Sequence, residues 1–145
     1  MSEELTLIDF ESLFKRNLGK YRFNFLKSIN IIFYEDYYGN ENYWSQLIEK
    51  LIAIVYERRN KGQNQIVFKV LEHKENNEIV IQLENNSLPL KRIELEQFNL
   101  GTNTPKNDIT QFVRFAKGKK LEVSAQSIPT LGNTIRIIIS REEKY

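Results

Sequence analysis

The sequence predicts an α/β (α+β) two-layer sandwich, with helices on one face of a mixed, largely antiparallel sheet. Three observations carry this. Trp44, Leu47, Ile48, Leu51, Ile52 and Val55 recur at the i, i+3, i+4, i+7 spacing of a buried helical stripe. The segments QIVFKVLE and EIVIQLE alternate apolar with mixed residues around a short HKENN link, which is the pattern of a hairpin. A second helix and a second hairpin follow in the same order, so two helices and four strands are available to build the two layers.

Along the chain, Leu7, Ile8, Phe10, Leu13 and Phe14 suit one face of a short helix. An apolar, aromatic and β-branched run from Phe23 to Phe33 continues it, becoming extended by Ile31. Tyr37, Tyr38, Gly39 and Asn40 then punctuate the chain. The clearest helix is expected over 42–60, with Asn42 as N-cap, Lys61-Gly62 as stop, and Ile54 at the margin of its apolar stripe. Ile66, Phe68 and Val70 form the inward set of the first strand, and Ile79, Ile81 and Leu83 that of the second. From Asn85 to Pro105 runs a connection of about twenty residues, long enough to be functional. Within it Ile93, Leu95 and Phe98 anchor a short helical turn. Thr104-Pro105 reads as the start of the next helix, which presents Ile109, Phe112, Val113 and Ala116 and stops at Gly118. The closing hairpin is expected as strands 120–125 and 134–140 around the loop QSIPTLGN, before a solvated tail, REEKY.

A chain of 145 residues, 41% apolar and 28% charged, suits one globular domain. Its core is expected over 42–140, with 1–41 as an N-terminal extension packing on it. No apolar run suffices to span a bilayer and no leader pattern opens the chain, so a cytoplasmic location without membrane partners is expected. Without cysteine there is no disulfide, thiolate nucleophile or cysteine zinc site. The single histidine, His73, falls at a hairpin tip, where a general base would lack a positioned partner. A net charge of +2 does not by itself imply a polyanion. Two clusters, KYRFNFLK and RFAKGKK, do interleave bases with aromatics, and they bring forward Lys20, Arg22, Lys27, Arg114, Lys117, Lys119 and Lys120 as a candidate nucleic-acid surface.

The element order from Asn42 to Ser140 resembles the ATP-binding domain of the histidine-kinase-like (GHKL) ATPase superfamily, and in particular its single-domain anti-sigma-factor kinases. In that family an Asn on the first helix holds magnesium. An Asp-x-Gly-x-Gly loop after the hairpin receives adenine, a glycine-rich lid cradles phosphates, and a Gly-Thr signature opens the last strand. Laid on this sequence, the magnesium position falls on Ile54, whose aliphatic side chain offers no oxygen to a hard cation. The adenine loop falls on Asn85-Asn86-Ser87-Leu88-Pro89, and the lid keeps only Gly101. Gly132-Asn133-Thr134 is the best-kept element. The resemblance thus implies a degenerate member whose vestigial nucleotide pocket would hold Asn85, Ser87, Gly101, Gly132 and Thr134.

Three functions follow as expectations. The first is a non-catalytic regulatory or adaptor module that binds a protein, without catalytic residues, metal or cofactor. Its interaction surface would use Tyr37, Tyr38, Tyr43, Lys117, Lys119 and Lys120, members of aromatic and basic clusters that also include Tyr34 and Trp44. The second is an ATP- and magnesium-dependent kinase of the anti-sigma type, with Glu49 or Glu57 as base and Asn85 on adenine. The third is nucleic-acid binding through the basic clusters, and a homodimer is a further alternative for the partner.

Overall fold

A computed structural model of the chain describes residues 5–21, 25–31, 37–60, 62 and 64–140, with side chains of all of these except 25–31 and Lys74. Arg22, Phe23, Ile32, Phe33, Tyr34 and Lys61, the tail from Arg141, and the side chain of Lys27 lie outside that description.

Among the described residues, four helices, α1 (Phe10–Leu18), α2 (Glu41–Glu57), α3 (Arg92–Leu100) and α4 (Asp108–Lys117), accompany seven strands. The short strands β1 (Thr6–Leu7) and β3 (Tyr38–Gly39) pair with each other. The main sheet contains β2 (Phe25–Ile31), β4 (Asn64–His73), β5 (Glu78–Asn85), β6 (Glu122–Ile128) and β7 (Gly132–Ser140), in the order β2-β4-β5-β7-β6. β2 runs parallel to β4 and every other pairing is antiparallel, so the sheet is mixed as expected.

Strand periodicity decides which residues meet the helices. Ile66, Phe68 and Val70 of β4, Ile79, Ile81 and Leu83 of β5, and Ile135, Ile137 and Ile139 of β7 are all buried on the helix-facing side. The alternate residues form a mixed outer face, on which Lys69 pairs with Glu84 at 2.8 Å and Arg136 donates to Gln82 at 2.8 Å. The Lys69 ammonium is the main reason the Glu84 carboxyl is held below its usual range.

Several element ends differ from the sequence expectation. α2 starts two residues early, because the side chain of Asn40, not that of Asn42, accepts from Tyr43 N at 2.8 Å. It ends at Glu57, ahead of Lys61-Gly62. Ile54, expected at the margin of the stripe, is only 1% exposed. α4 starts at Asp108, not at Pro105: Asn107 caps it by accepting from Thr110 N at 3.0 Å, while its own N–H donates to Thr110 Oγ1 at 2.8 Å. The expected helical turn in the long connection is the nine-residue helix α3. β6 begins two residues later than expected and ends three later, and β7 begins two earlier, leaving only 129–131 as their link in place of QSIPTLGN. Near the N-terminus, Leu7 is exposed in β1, outside the helix, and the chain is already strand at Phe25.

Residues before Glu41 contribute to both layers. α1 packs on α2 and β2 extends the sheet beyond β4.

Candidate functional site

The C-terminal half of α2, the loop after β5, the segment before α4 and the β6–β7 tip bound the region where the resemblance places a nucleotide. Arg58 lies at the C-cap of α2, one turn beyond Ile54. Its Nε and Nη2 both donate to Glu94 Oε2, at 2.9 and 2.7 Å. Nη1 and Nη2 reach the two Asp108 oxygens at 2.7 and 3.0 Å, and Nη1 also donates to Ile54 O at 3.0 Å. A guanidinium has five N–H donors, and all five are used inside the fold. Burial alone would lower the Arg58 pKa, but hydrogen bonds and charge from Asp108 and Glu94 overcome it, so the net shift is upward. Both carboxylates lie in the first turn of a helix, Glu94 in α3 and Asp108 in α4, where the helix dipole favours negative charge.

The loop after β5 is equally self-contained. Asn86 N donates to Gln65 O, Ser87 N to Asn85 Oδ1, Leu88 N to Arg58 O, and Leu90 N to Ser127 Oγ and Asn133 Oδ1. Pro89 has no N–H, so every backbone donor from Asn86 to Leu90 is engaged. Asn133 completes the lock by donating to Leu88 O at 2.8 Å. One buried polar atom of the loop has no partner among the described residues, Asn85 Nδ2. That atom is a donor, which suits an acceptor such as a ring nitrogen and not the amino group that the family's acidic residue receives.

Ile54 is part of the core. Among the described residues there is no group of three or more His, Cys, Asp or Glu side chains able to hold a metal ion. At the position that the resemblance assigns to the magnesium ligand the side chain is aliphatic, and the amides of the loop after β5 are committed, so these residues do not fit a magnesium nucleotide.

Sequence-expected pocket residues do not converge on one site. Asn85, Gly132 and Thr134 border a cavity of about 260 Å³ with Gln65, Val67 and Glu84. Thr134 pairs with Glu84 on the outer face, whereas Asn85 pairs with Asn133 on the helix side. Gly132, at φ 118°, has a packing reason to be glycine, since a Cβ there would lie 2.1 Å from Asn85 O. Ser87 is buried. Gly101, at φ 70°, ends α3 in the left-handed conformation and lines a different cavity with Thr102, Asn103, Arg114 and Lys117. Glu49, one candidate base, pairs with Lys20 at 2.9 Å, and Glu57, the other, is exposed at the end of α2.

Comparison with solved structures places this architecture. The catalytic domain of the histidine kinase ThkA superposes with a TM-score of 0.75 at 10% identity, over 94% of this chain and 97% of that one. This is the histidine-kinase ATPase fold. The mycobacterial sensor histidine kinase MprB matches at a TM-score of 0.70 and 8% identity over 95% of this chain and 97% of that chain. The Acinetobacter baumannii histidine kinase AdeS matches at 0.66 and 12% over 97% and 68%. No family model and no curated protein matches the sequence. At such identities the likeness extends to the fold, and the site chemistry rests on this chain's own residues.

On this ATPase fold the expected interaction residues separate. Tyr37 is structural, stacked on Phe10 with centroids 6.0 Å apart and edge-on to Trp44 at 5.8 Å. Tyr38 is 58% exposed on β3. Tyr43 stacks on Phe115 at 4.6 Å, and its hydroxyl donates to Phe115 O at 2.8 Å. Burial raises the pKa of that hydroxyl. Lys119 lies over the Tyr43 ring, while Lys117 lies beside Gly101 on another flank of α4 and Lys120 is exposed in the turn that follows. No helix among the described residues is long and apolar enough to cross a membrane.

The Arg58–Glu94–Asp108 cluster was not legible in the sequence, since its members stand 36 and 50 positions apart and belong to no motif. The available signal was an acidic residue in the first turn of each of two helices, with an arginine just beyond a third.

Proposed function

We propose that this chain is a non-catalytic regulatory or adaptor module that uses the histidine-kinase ATPase fold as a scaffold and acts by binding another protein. One observation carries this reading: at the positions where the resemblance puts the magnesium ligand and the adenine loop, the side chain is aliphatic and the loop amides and the neighbouring guanidinium are spent inside the fold, with Asn85 Nδ2 the buried donor left over. Arg58 has no N–H left for a phosphate, the 86–90 amides are engaged, and Ile54 stands in place of a magnesium ligand. Phosphoryl transfer depends on metal and on positioned donors, so a scaffold with an aliphatic side chain at the metal position and a fully committed guanidinium keeps the shape of the family and loses its chemistry.

Thermal unfolding with and without magnesium-ATP tests this directly. A ligand held at 100 times its dissociation constant adds about 2.7 kcal/mol, which is roughly 5 to 10 °C for a domain of this size. The expected result is an unchanged midpoint at millimolar magnesium-ATP. A shift of several degrees that needs both metal and nucleotide would establish the ATP-binding kinase in its place.

A further inference from the structure

The outer faces of α2 and α4 form a trough, which meets the Arg58 cluster only at Asp108. A cavity of about 510 Å³ is lined by Tyr43, Lys50, Gln111, Arg114, Phe115 and Lys119. A second, of about 350 Å³, shares Lys50 and Gln111 with it and extends it past Ala53 to Tyr21. The α2 positions involved, Tyr43, Gln46, Lys50 and Ala53, form one stripe over three turns, about 15 Å of helix. We infer that this trough docks an acidic amphipathic helix of a partner protein, with an apolar side chain seated beside the Tyr43–Phe115 pair and carboxylates on Lys50 and Arg114.

Charge complementarity selects the acidic partner. Neither Lys50 nor Arg114 has a carboxylate partner among the described residues, and Lys119 adds a third cation at the same end. The carboxylates at the other end have cations of their own, Glu49 paired with Lys20 and Asp108 sharing Arg58 with Glu94, so the excess positive charge of the trough is confined to the Lys50–Arg114 end. A polypeptide fits better than a nucleic acid because the ring faces are taken. Tyr43 and Phe115 stack on each other, with Lys119 over Tyr43 at 5.7 Å and Lys50 over Phe115 at 5.2 Å. A base would have to displace a lysine to stack, whereas an aliphatic or aromatic side chain can pack against the ring edges and Ala53. The trough is open along its length, which suits a helix laid into a groove better than an enclosed small molecule.

This inference rests on the adaptor reading and gives it a surface. The probe is a labelled 16-residue helical peptide with Leu and Phe at i, i+3, i+4 and i+7 and glutamates on both flanks, titrated into the ¹⁵N-labelled full chain. Saturable binding is expected, with amide shifts concentrated in 43–53 and 111–119. Lys50→Glu with Arg114→Glu should weaken binding at least tenfold, and a peptide with lysines for its glutamates should bind that variant better than it binds the parent chain. Arg114→Glu alone, at an exposed site, serves the same purpose if the double variant unfolds. No saturation by about 1 mM would overturn the inference. So would shifts centred elsewhere, or a 16-nucleotide oligo(dT) that binds as tightly as the acidic peptide. A silent peptide together with an unchanged magnesium-ATP midpoint removes the trough and leaves the adaptor reading standing. Peptide binding together with a magnesium-ATP shift keeps the trough and removes that reading.

Discussion

Arg58 is the side chain on which α2, α3 and α4 converge, and its value lies in having every donor matched. Its side chain is 16% exposed, Glu94 13% and Asp108 32%, so the cluster is largely withdrawn from water. Removing the cation leaves two carboxylates facing each other without compensation. Arg58→Ala should therefore cost about 3 kcal/mol in urea unfolding, the lower end of the range for broken buried pairs because Asp108 keeps some solvent. Arg58→Lys retains the charge but not the planar fork, and should recover only part of that loss. A loss below about 0.5 kcal/mol for Arg58→Ala would reduce the cluster to a surface ion pair. Sequence patterns announce residues that repeat at short spacing, and this cluster has none, so it becomes visible only after the helices are placed. Ile54 shows the opposite case. Its mismatch with a magnesium ligand could be seen in the sequence, but its full burial could not, because a stripe edge and a stripe centre differ by one helix packed alongside.

At the level of elements, apolar periodicity located α2 and the 64–85 hairpin correctly, while their ends depended on single side-chain hydrogen bonds. The sequence points to Asn42 as the cap, and geometry chooses Asn40. Asn40→Ala should destabilise the chain by about 1 kcal/mol and Asn42→Ala by no more than a few tenths, a comparison that chemical denaturation resolves. A larger loss at Asn42→Ala would place the helix start where the sequence alone suggested. α3 was legible only as a turn because just Gln97 and Phe98 of its nine residues are buried, too few to make a stripe. That helix also protects the sheet. β6 is an edge strand, and the Asn99 amide pairs with Ala125 as another strand would, donating to its carbonyl at 2.9 Å and accepting from its N–H at 2.8 Å. Asn99→Ala should cost about 1 to 2 kcal/mol and speed hydrogen exchange at the Ala125 amide more than at its β7-paired neighbours. Unchanged exchange there would mean the edge does not depend on the plug.

For the whole molecule, the decisive issue is whether the residues before α2 are an accessory or part of the core. The patterned region from Asn42 onward reads as a complete sandwich, but its helix layer is left open on one side without α1. Phe14 stacks on Phe68 of β4 with centroids 4.2 Å apart, and Phe10 meets Trp44 edge-on at 5.3 Å. Asn17, fully buried, donates to Leu13 O at 2.9 Å and to Ser45 Oγ at 3.1 Å, tying α1 to α2. Phe10, Leu13, Phe14 and Leu18 are all at most 4% exposed. At roughly 1.5 to 3 kcal/mol for each large buried side chain, their packing is worth about 6 to 12 kcal/mol before the entropy of ordering α1 is subtracted. That gross figure is as large as the net stability of a typical domain, about 5 to 15 kcal/mol. Loss of the segment also exposes the faces of Phe68 and Trp44 and strips β4 of its pairing with β2 from Asn64 to Val70. A chain beginning at Asn42 should therefore lack a cooperative urea transition and near-ultraviolet circular dichroism, and should regain both when residues 1–41 are supplied as a separate peptide. If the shortened chain instead unfolds cooperatively with its aromatic signal intact, 42–140 is a self-sufficient core and α1 and β2 are additions to it.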